Sequence, residues 1–305
     1  MSSSSSGAGR RRVDVQRLPD FFLVGPPRTG TTWVHSVLGR HALLPMAKET
    51  RFFDLHFHRG LDWYRAHYPN LSSDRAMGEV APTYFACAKA RERIALTVPS
   101  AKIVCNFRDP VQRIVSLYRL KRAYGMIPWT LEQAITRDPE LIESGRYATN
   151  FKAWRSSFGA SQVLVTIYED LCTQPQAYVD TVADFLGIPR FTLTPSQLGH
   201  VFASESMTEP RNYFRTRGAM VISDWFKARR LHRIVDAVKG SPAIKLFLGG
   251  GPAFAEISRD LLLRLYELFR PEVEELEGLL NRDFSAWKSA HARVVAMAAK
   301  GSAIA

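Results

Sequence analysis

Phe21-Phe22-Leu23-Val24-Gly25-Pro26-Pro27-Arg28-Thr29-Gly30-Thr31-Thr32-Trp33 is the stretch from which the fold can be read. Four consecutive apolar residues read as a short strand buried on both faces. A turn rich in glycine and proline ends it. Trp33, Val34, Val37 and Leu38 then recur at helical spacing, so a helix is expected over Thr32–Leu38. Gly25-x4-Gly30 has the spacing of a phosphate-binding P-loop, but Thr31 stands where the lysine of that motif belongs. Backbone N–H groups at the start of the helix favour an anion. Thr31 and Thr32 add hydroxyl donors, and Arg28 supplies a cation from within the loop. Taken alone, the same residues also fit an ordinary strand-to-helix turn in which glycine adopts positive φ. The missing lysine speaks against an ATPase or GTPase, where that side chain cradles the β and γ phosphates.

Working outward, Lys102–Phe107 (KIVCNF) is a second β-rich run, closed by Arg108-Asp109-Pro110. Asp109 is suited to cap a helix and Pro110 to begin one, which predicts a helix over Pro110–Tyr124. Val163–Tyr168 (VLVTIY) reads as a third strand, and Pro175–Leu186 as a helix stopped by Gly187 and Pro189. Buried strands alternating with helices imply an α/β fold, a parallel sheet with helices on both faces. The two strand-to-helix turns then share the edge where open α/β sheets bind ligands. The C-terminal third reads as helical: a basic stretch over Ser223–Lys239, a loop at Gly249-Gly250-Gly251-Pro252, and a long amphipathic helix over Leu261–Leu280 with a bend at Pro271.

Forty-one Lys and Arg against 29 Asp and Glu leave a formal charge of +12, while 46% hydrophobic and 23% charged residues exclude wholesale disorder. The basic excess suits an anionic ligand. The stretch Arg211–Arg233 carries no DNA- or RNA-binding signature, and no nucleic-acid partner is expected. Cys87, Cys105 and Cys172 are odd in number and far apart, which excludes a disulfide framework and a zinc ribbon and suits a reducing compartment. No run of 18 apolar residues occurs, so no stable membrane insertion is expected. Met1–Arg12 is Ser-rich, then basic, without an apolar core of a secretory signal. The expected organisation is a disordered leader over 1–18, one domain over 19–290 and a tail over 291–305, in a soluble, cytoplasmic protein whose oligomeric state is not legible.

Pro27-Arg28-Thr29-Gly30-Thr31-Thr32-Trp33 resembles the 5′-phosphosulfate loop of sulfotransferases that use 3′-phosphoadenosine-5′-phosphosulfate (PAPS). Arg in place of Lys is found in the tyrosylprotein sulfotransferases and many bacterial members. Trp33 occupies the position of an adenine-contacting Trp. Arg108-Asp109-Pro110-Val111-Gln112-Arg113-Ile114-Val115-Ser116 resembles the family's 3′-phosphate motif, which implies that Arg108 and Ser116 bind that phosphate. Arg113, three positions from Ser116, is expected to orient it. A capped helix with a solvated arginine face is the alternative for this segment.

Lys48-Glu49-Thr50-Arg51-Phe52-Phe53-Asp54 resembles the K-E-x-x-F-F-D segment of heparan sulfate O-sulfotransferases, and Glu49-Thr50-Arg51 the E-T-R of tyrosylprotein sulfotransferases. Both imply that Glu49 is the general base; Asp54 lies beside it in the former. A solvated Glu49 and a helix-capping Asp54 are the structural alternatives. Gly78-Glu79-Val80-Ala81-Pro82-Thr83-Tyr84 matches a segment in which the heparan sulfate enzymes carry a functional lysine at the position of Val80. That departure, and Arg51 in place of their histidine, argue against a heparan-type acceptor and make Arg28 the main cation expected at the transferring group. The resemblance extends over Phe21–Trp287, through Tyr168-Glu169-Asp170-Leu171 and Leu279–Trp287.

It implies a P-loop-like sulfotransferase fold. The expected site comprises Glu49, Arg28 and Asp54 for catalysis, and Arg28, Thr29, Gly30, Thr31, Thr32, Trp33, Arg108 and Ser116 for PAPS or its product 3′,5′-diphosphoadenosine (PAP). The acceptor is expected to be a small molecule, glycan or glycolipid that offers a hydroxyl rather than an amine. No metal is expected: His56 and His58 alternate near Asp54 without a third ligand at suitable spacing. The rival readings are a P-loop kinase of a small molecule and a non-catalytic binder of anionic glycans.

Overall fold

The computed structural model describes residues 17–198, 207–228 and 251–289. Most of the expected leader, most of the basic stretch Ser223–Lys239, Gly249 and Gly250, and the tail 291–305 lie outside the described residues.

Four parallel strands make up the described sheet: β1 Phe21–Leu23, β2 Gly78–Val80, β3 Lys102–Phe107 and β4 Val163–Ile167, in the order β2-β1-β3-β4. Phe22 pairs in register with Glu79 on one side and Ile103 on the other. The expected strands are present, shorter by one residue at Val24 and at Tyr168, which instead opens a helix. β2 was not legible as a strand, because three residues centred on a glutamate show no β period.

Both faces are buried. Phe22, Ile103, Cys105 and Phe107 point to one side, against helices α2 (Ala88–Thr97) and α4 (Tyr147–Phe158), which contribute Ile94, Phe151 and Trp154. Phe21, Leu23 and Val104 point to the other, against α1 (Thr31–Leu38) and α6 (Pro175–Leu186), which contribute Trp33, Val34, Val37, Val179 and Val182. The period of two in each strand therefore feeds two separate cores, and each fully buried large apolar side chain contributes about 1.5–3 kcal/mol. A third core forms off the sheet, where α3 (Pro110–Ala123) packs Ile114 and Leu117 against Leu265 and Phe269 of α8 (Arg259–Leu280). That helix runs through Pro271 as one helix. Between α4 and α6 lies the short helix α5 (Tyr168–Thr173), and α7 spans Tyr213–Ala228.

The strand order places the site. From β1 the chain steps outward to β2 on one side and to β3 on the other. The loops after β1 and β3 therefore leave the carboxyl edge in opposite senses and open a crevice between them. Gly25 lies so close to β3 that a Cβ built on it would stand 2.3 Å from the backbone nitrogen of Asn106. Gly25→Ala is expected to destabilise the fold by about 1–3 kcal/mol, the usual cost of overpacking, read as a lower urea midpoint. An unchanged midpoint would show that the loop can lift off the sheet.

Candidate active site

Backbone geometry sets up the first loop. Arg28 adopts φ 75° and Gly30 φ 83°, both in the left-handed region. A non-glycine residue held there is strained, and successive left-handed turns aim backbone N–H groups at a common point, forming an anion-binding concavity. Gly30 is also the N-cap of α1 and offers the helix no side-chain acceptor. Its positive φ and its packing, with a built Cβ 2.8 Å from Leu171, both require glycine.

Beneath the loop lies a polar strut. The Asn106 carboxamide donates to the Thr29 carbonyl, and Thr166 Oγ1 donates to Asn106 Oδ1 at 3.1 Å. Thr29 is itself fully buried, with its hydroxyl turned to the Pro26 carbonyl at 2.8 Å. Thr29 thus shapes the loop from below, whereas Thr31 and Thr32 line the crevice.

The second loop starts at the end of β3. Asp109 caps α3 as expected, accepting from the N–H groups of Val111 at 2.9 Å and Gln112 at 3.1 Å. Its other oxygen accepts from Tyr266 at 3.1 Å, and Tyr147 donates to the Arg108 carbonyl at 2.8 Å. Arg108 is thereby fixed at its backbone while its guanidinium reaches toward the first loop. That group lies 4.5 Å from the centre of the Tyr168 ring, and its N–H contacts with the Arg28 carbonyl and Gln112 are both long, at 3.4 Å. Its Nε is buried without a hydrogen-bond partner in the described structure. A buried donor left unmatched calls for an explanation, and an anion supplies one. The two loops meet where Arg28 Nε donates to Ser116 Oγ at 2.8 Å. Burial, and then the charge of Arg108, lower the pKa of Arg28.

Arg113 does not join this site. It is fully buried and donates to Ser144 Oγ at 2.8 Å and the Leu141 carbonyl at 2.7 Å, facing the third core rather than Ser116. The helical spacing holds, but the side of α3 that carries Arg113 faces inward.

Together the loops border a cleft of about 920 Å³. Arg28, Arg40, Lys48 and Arg108 line it, with Glu49 as the carboxylate among its lining residues. Trp33 forms part of its wall, 7% exposed, with Nε1 donating to the Gln197 carbonyl at 2.7 Å. Glu49 is partly exposed, and burial raises its pKa while Lys48 and Arg51 oppose that rise. Asp54 stands apart: Arg51 Nε pairs with its Oδ2 at 2.5 Å, and its Oδ1 accepts from the Leu55 N–H. It is not among the residues that line the cleft. Among the described residues, no group of three His, Cys, Asp or Glu is arranged to hold a metal.

Two residues that sequence reasoning gave no role emerge beside Glu49. Lys48 donates to Thr32 Oγ1 at 2.7 Å and lies 3.7 Å from Glu49 Oε1. The only signal was its place before Glu49, because Thr32 lies on another element. Glu79, at the centre of β2, is fully buried. Its Oε1 accepts from the Thr50 N–H at 2.9 Å, Thr50 Oγ1 at 2.6 Å and the Tyr84 hydroxyl at 3.3 Å; its Oε2 accepts from Tyr64 at 2.7 Å. Burial raises its pKa, and these donors act against that rise. The segment carrying Glu49 is thus pinned, one residue on, to the sheet.

A sequence model of the sulfotransferase domain matches residues 18–226. The chain belongs to the sulfotransferase family. It is 32% identical over 200 residues to the bifunctional heparan sulfate N-deacetylase/N-sulfotransferase 2 of Bos taurus, covering 57% of this chain and 22% of that protein. It is 34% identical over 197 residues to the corresponding enzyme 1 of Mus musculus, covering 56% and 22%. The chain thus matches about a fifth of the length of these relatives. The solved sulfotransferase from Alicyclobacillus acidocaldarius shares the fold, with a TM-score of 0.64 and 21% identity over 89% of this chain and 99% of that one. The P-loop-like sulfotransferase fold expected from the sequence is therefore present.

Glu79→Ala is expected to remove the acceptor of four buried donors, the N–H and hydroxyl of Thr50 and the hydroxyls of Tyr64 and Tyr84, at roughly 1–3 kcal/mol for each group that finds no other partner. Thermal or urea unfolding measures it. A variant as stable as the wild type would mean that water enters and replaces the carboxylate.

Proposed function

We propose that this sulfotransferase moves the sulfuryl group of PAPS to a hydroxyl acceptor, with Glu49 as general base. One observation carries the reading: two anion-binding loops from different strands, joined through Arg28 and Ser116, face a cleft that also holds a carboxylate. A nucleotide with phosphates at both ends of its ribose has the charge to fill both loops. When bound, PAPS supplies an activated sulfuryl group on its 5′-phosphate.

The chain's residues divide the work. Arg28 and the N–H groups of Gly30–Thr32 hold the 5′ end, and Arg108 and Ser116 the 3′-phosphate. Trp33 offers an aromatic wall for the base. Glu49 takes the acceptor's proton as the acceptor oxygen bonds to sulfur; the electron pair of the broken S–O bond remains on the 5′-phosphate of PAP. Fixed dipoles and cations near the departing phosphate stabilise charge as it develops. Asp54, paired with Arg51, acts at one remove by holding the turn after Glu49.

The kinase reading loses support at Asp109. An aspartate after the second central strand would have to hold magnesium, but Asp109 is buried and spent on the cap of α3 and on Tyr266. A glycan amine is the second acceptor class to test, favoured by the one-third identity to heparan sulfate N-sulfotransferases. Turnover of labelled PAPS against a panel of hydroxyl and amine acceptors, read by mass spectrometry, separates these classes; no transfer to any member would favour a non-catalytic binder. A soluble protein in a reducing compartment remains the setting we propose, with three free cysteines in the described structure. Among the described residues no helix is long and apolar enough to cross a membrane.

PAP is expected to bind more tightly than AMP, since it alone fills both loops. Arg108→Ala should erase most of that preference, losing a charge-assisted contact of about 1.5–3 kcal/mol. Equal calorimetric affinity of the wild type for PAP and AMP would rule out the two-loop assignment.

Glu49→Gln is expected to lower the single-turnover rate about 10²–10⁴-fold in EDTA-containing buffer, with little change in PAP affinity. A base works deprotonated, so the wild-type rate should fall as pH drops through the pKa of Glu49. Burial raises that pKa, placing this acid limb above the ordinary carboxylate range. Near-normal transfer by the variant would place the base elsewhere, and loss of wild-type transfer in EDTA, restored by magnesium, would revive the kinase reading.

A further inference from the structure

Lys48 has a place in the cleft that no part of the two phosphate motifs accounts for. It belongs to neither loop, yet its Nζ donates to Thr32 Oγ1 at 2.7 Å, on the first turn of α1 and beside the anion-binding N-terminus. The same Nζ lies 3.7 Å from the carboxylate of Glu49. The ammonium therefore stands between the end of the loop that holds the 5′ group and the group that receives the acceptor's proton. An ammonium has three donors; with one directed at Thr32 and one toward Glu49, the third is left for an incoming anion. Its side chain is 39% exposed and lines the cleft, so a ligand can reach it.

Val80 is fully buried, packed in the core on the α1 side of the sheet. The end of β2 thus offers no cation to the cleft, whereas Lys48, on a different segment, lines it. The field around Lys48 is felt by its neighbours: burial together with the Lys48 charge pushes His35 down to about 4, and Lys48 opposes the rise of Glu49.

We propose that Lys48 is a catalytic residue whose ammonium contacts the transferring sulfuryl group. The proposal rests on the reading that the Arg28 loop holds the 5′-phosphosulfate. Lys48 forms and breaks no covalent bond. As an ammonium it donates a hydrogen bond to a sulfuryl oxygen while the new S–O bond forms, the old one breaks with its electron pair going to PAP, and Glu49 accepts the proton. Burial and Arg28 lower the pKa of Lys48, and Glu49 opposes that fall.

The test compares two ligands that differ by the sulfuryl group alone. Without acceptor, no transfer occurs and calorimetry reads binding. Lys48→Met should weaken PAPS about 5- to 50-fold and PAP less than about 3-fold, and Lys48→Arg should restore most of the difference. On the alkaline plateau of the rate, single-turnover transfer by Lys48→Met should fall roughly 10²- to 10³-fold, the scale of losing one transition-state donor. Equal weakening of PAPS and PAP would place Lys48 on the 5′-phosphate and overturn the assignment, as would unchanged affinity for both. Arg28→Ala in the same titrations separates the two levels: if it leaves both affinities unchanged, the loop is not the donor site. If it weakens both while Lys48→Met changes nothing, the donor site stands and the role of Lys48 falls.

Discussion

The close approach of Gly25 to the backbone of Asn106 is the constraint on which the site depends. It forces the chain leaving β1 to cross the end of β3 without a side chain between them. Asn106 then uses both ends of its carboxamide, one on the Thr29 carbonyl and one on Thr166, whose hydroxyl also meets Tyr178 at 3.1 Å. A buried amide with both ends satisfied fixes an orientation more firmly than apolar packing does. The loop above it is therefore held in shape, and the strain of a left-handed Arg28 is borne by the packing beneath it.

Electrostatics then favour function over comfort. Arg28 and Arg108 face the same space, and burial and then the charge of Arg108 disfavour the charge on Arg28. Folding tolerates this because the backbone of each is fixed independently: Arg28 by the loop, Arg108 by Tyr147 and by the capping Asp109. An anion placed between them, as proposed, would relieve the repulsion. Glu49 is handled in the opposite way. Its segment is tied down through Thr50 to Glu79, whose own charge is met by buried hydroxyls, so the carboxylate on the cleft side remains partly exposed.

Much of this could be read in the chain, for identifiable reasons. Apolar runs such as Phe21–Val24 and KIVCNF carry their own strand signal. Asp109-Pro110 is a cap that depends on its own neighbours alone. The glycine positions report local geometry. Failures began where meaning depends on tertiary pairing. β2 is three residues long and holds a charged side chain whose partners, Thr50, Tyr64 and Tyr84, lie on other segments. Lys48 gains its place from Thr32, sixteen positions earlier. Arg113 has the correct spacing from Ser116, yet it lies on the buried side of α3 and is held by Ser144 and Leu141. Spacing along a helix fixes relative direction; it does not say which direction is outward.

The bond between Arg28 and Ser116 has one more consequence. Each loop has its own strand, helix and cap, and the two could have been independent receptors for two phosphates. One hydrogen bond between side chains 88 positions apart joins them into a single receptor. With one phosphate held at each loop, as proposed, the guanidinium that meets one end would be bonded to the hydroxyl that meets the other, and the fit would depend on the distance between the two charges as well as on their number.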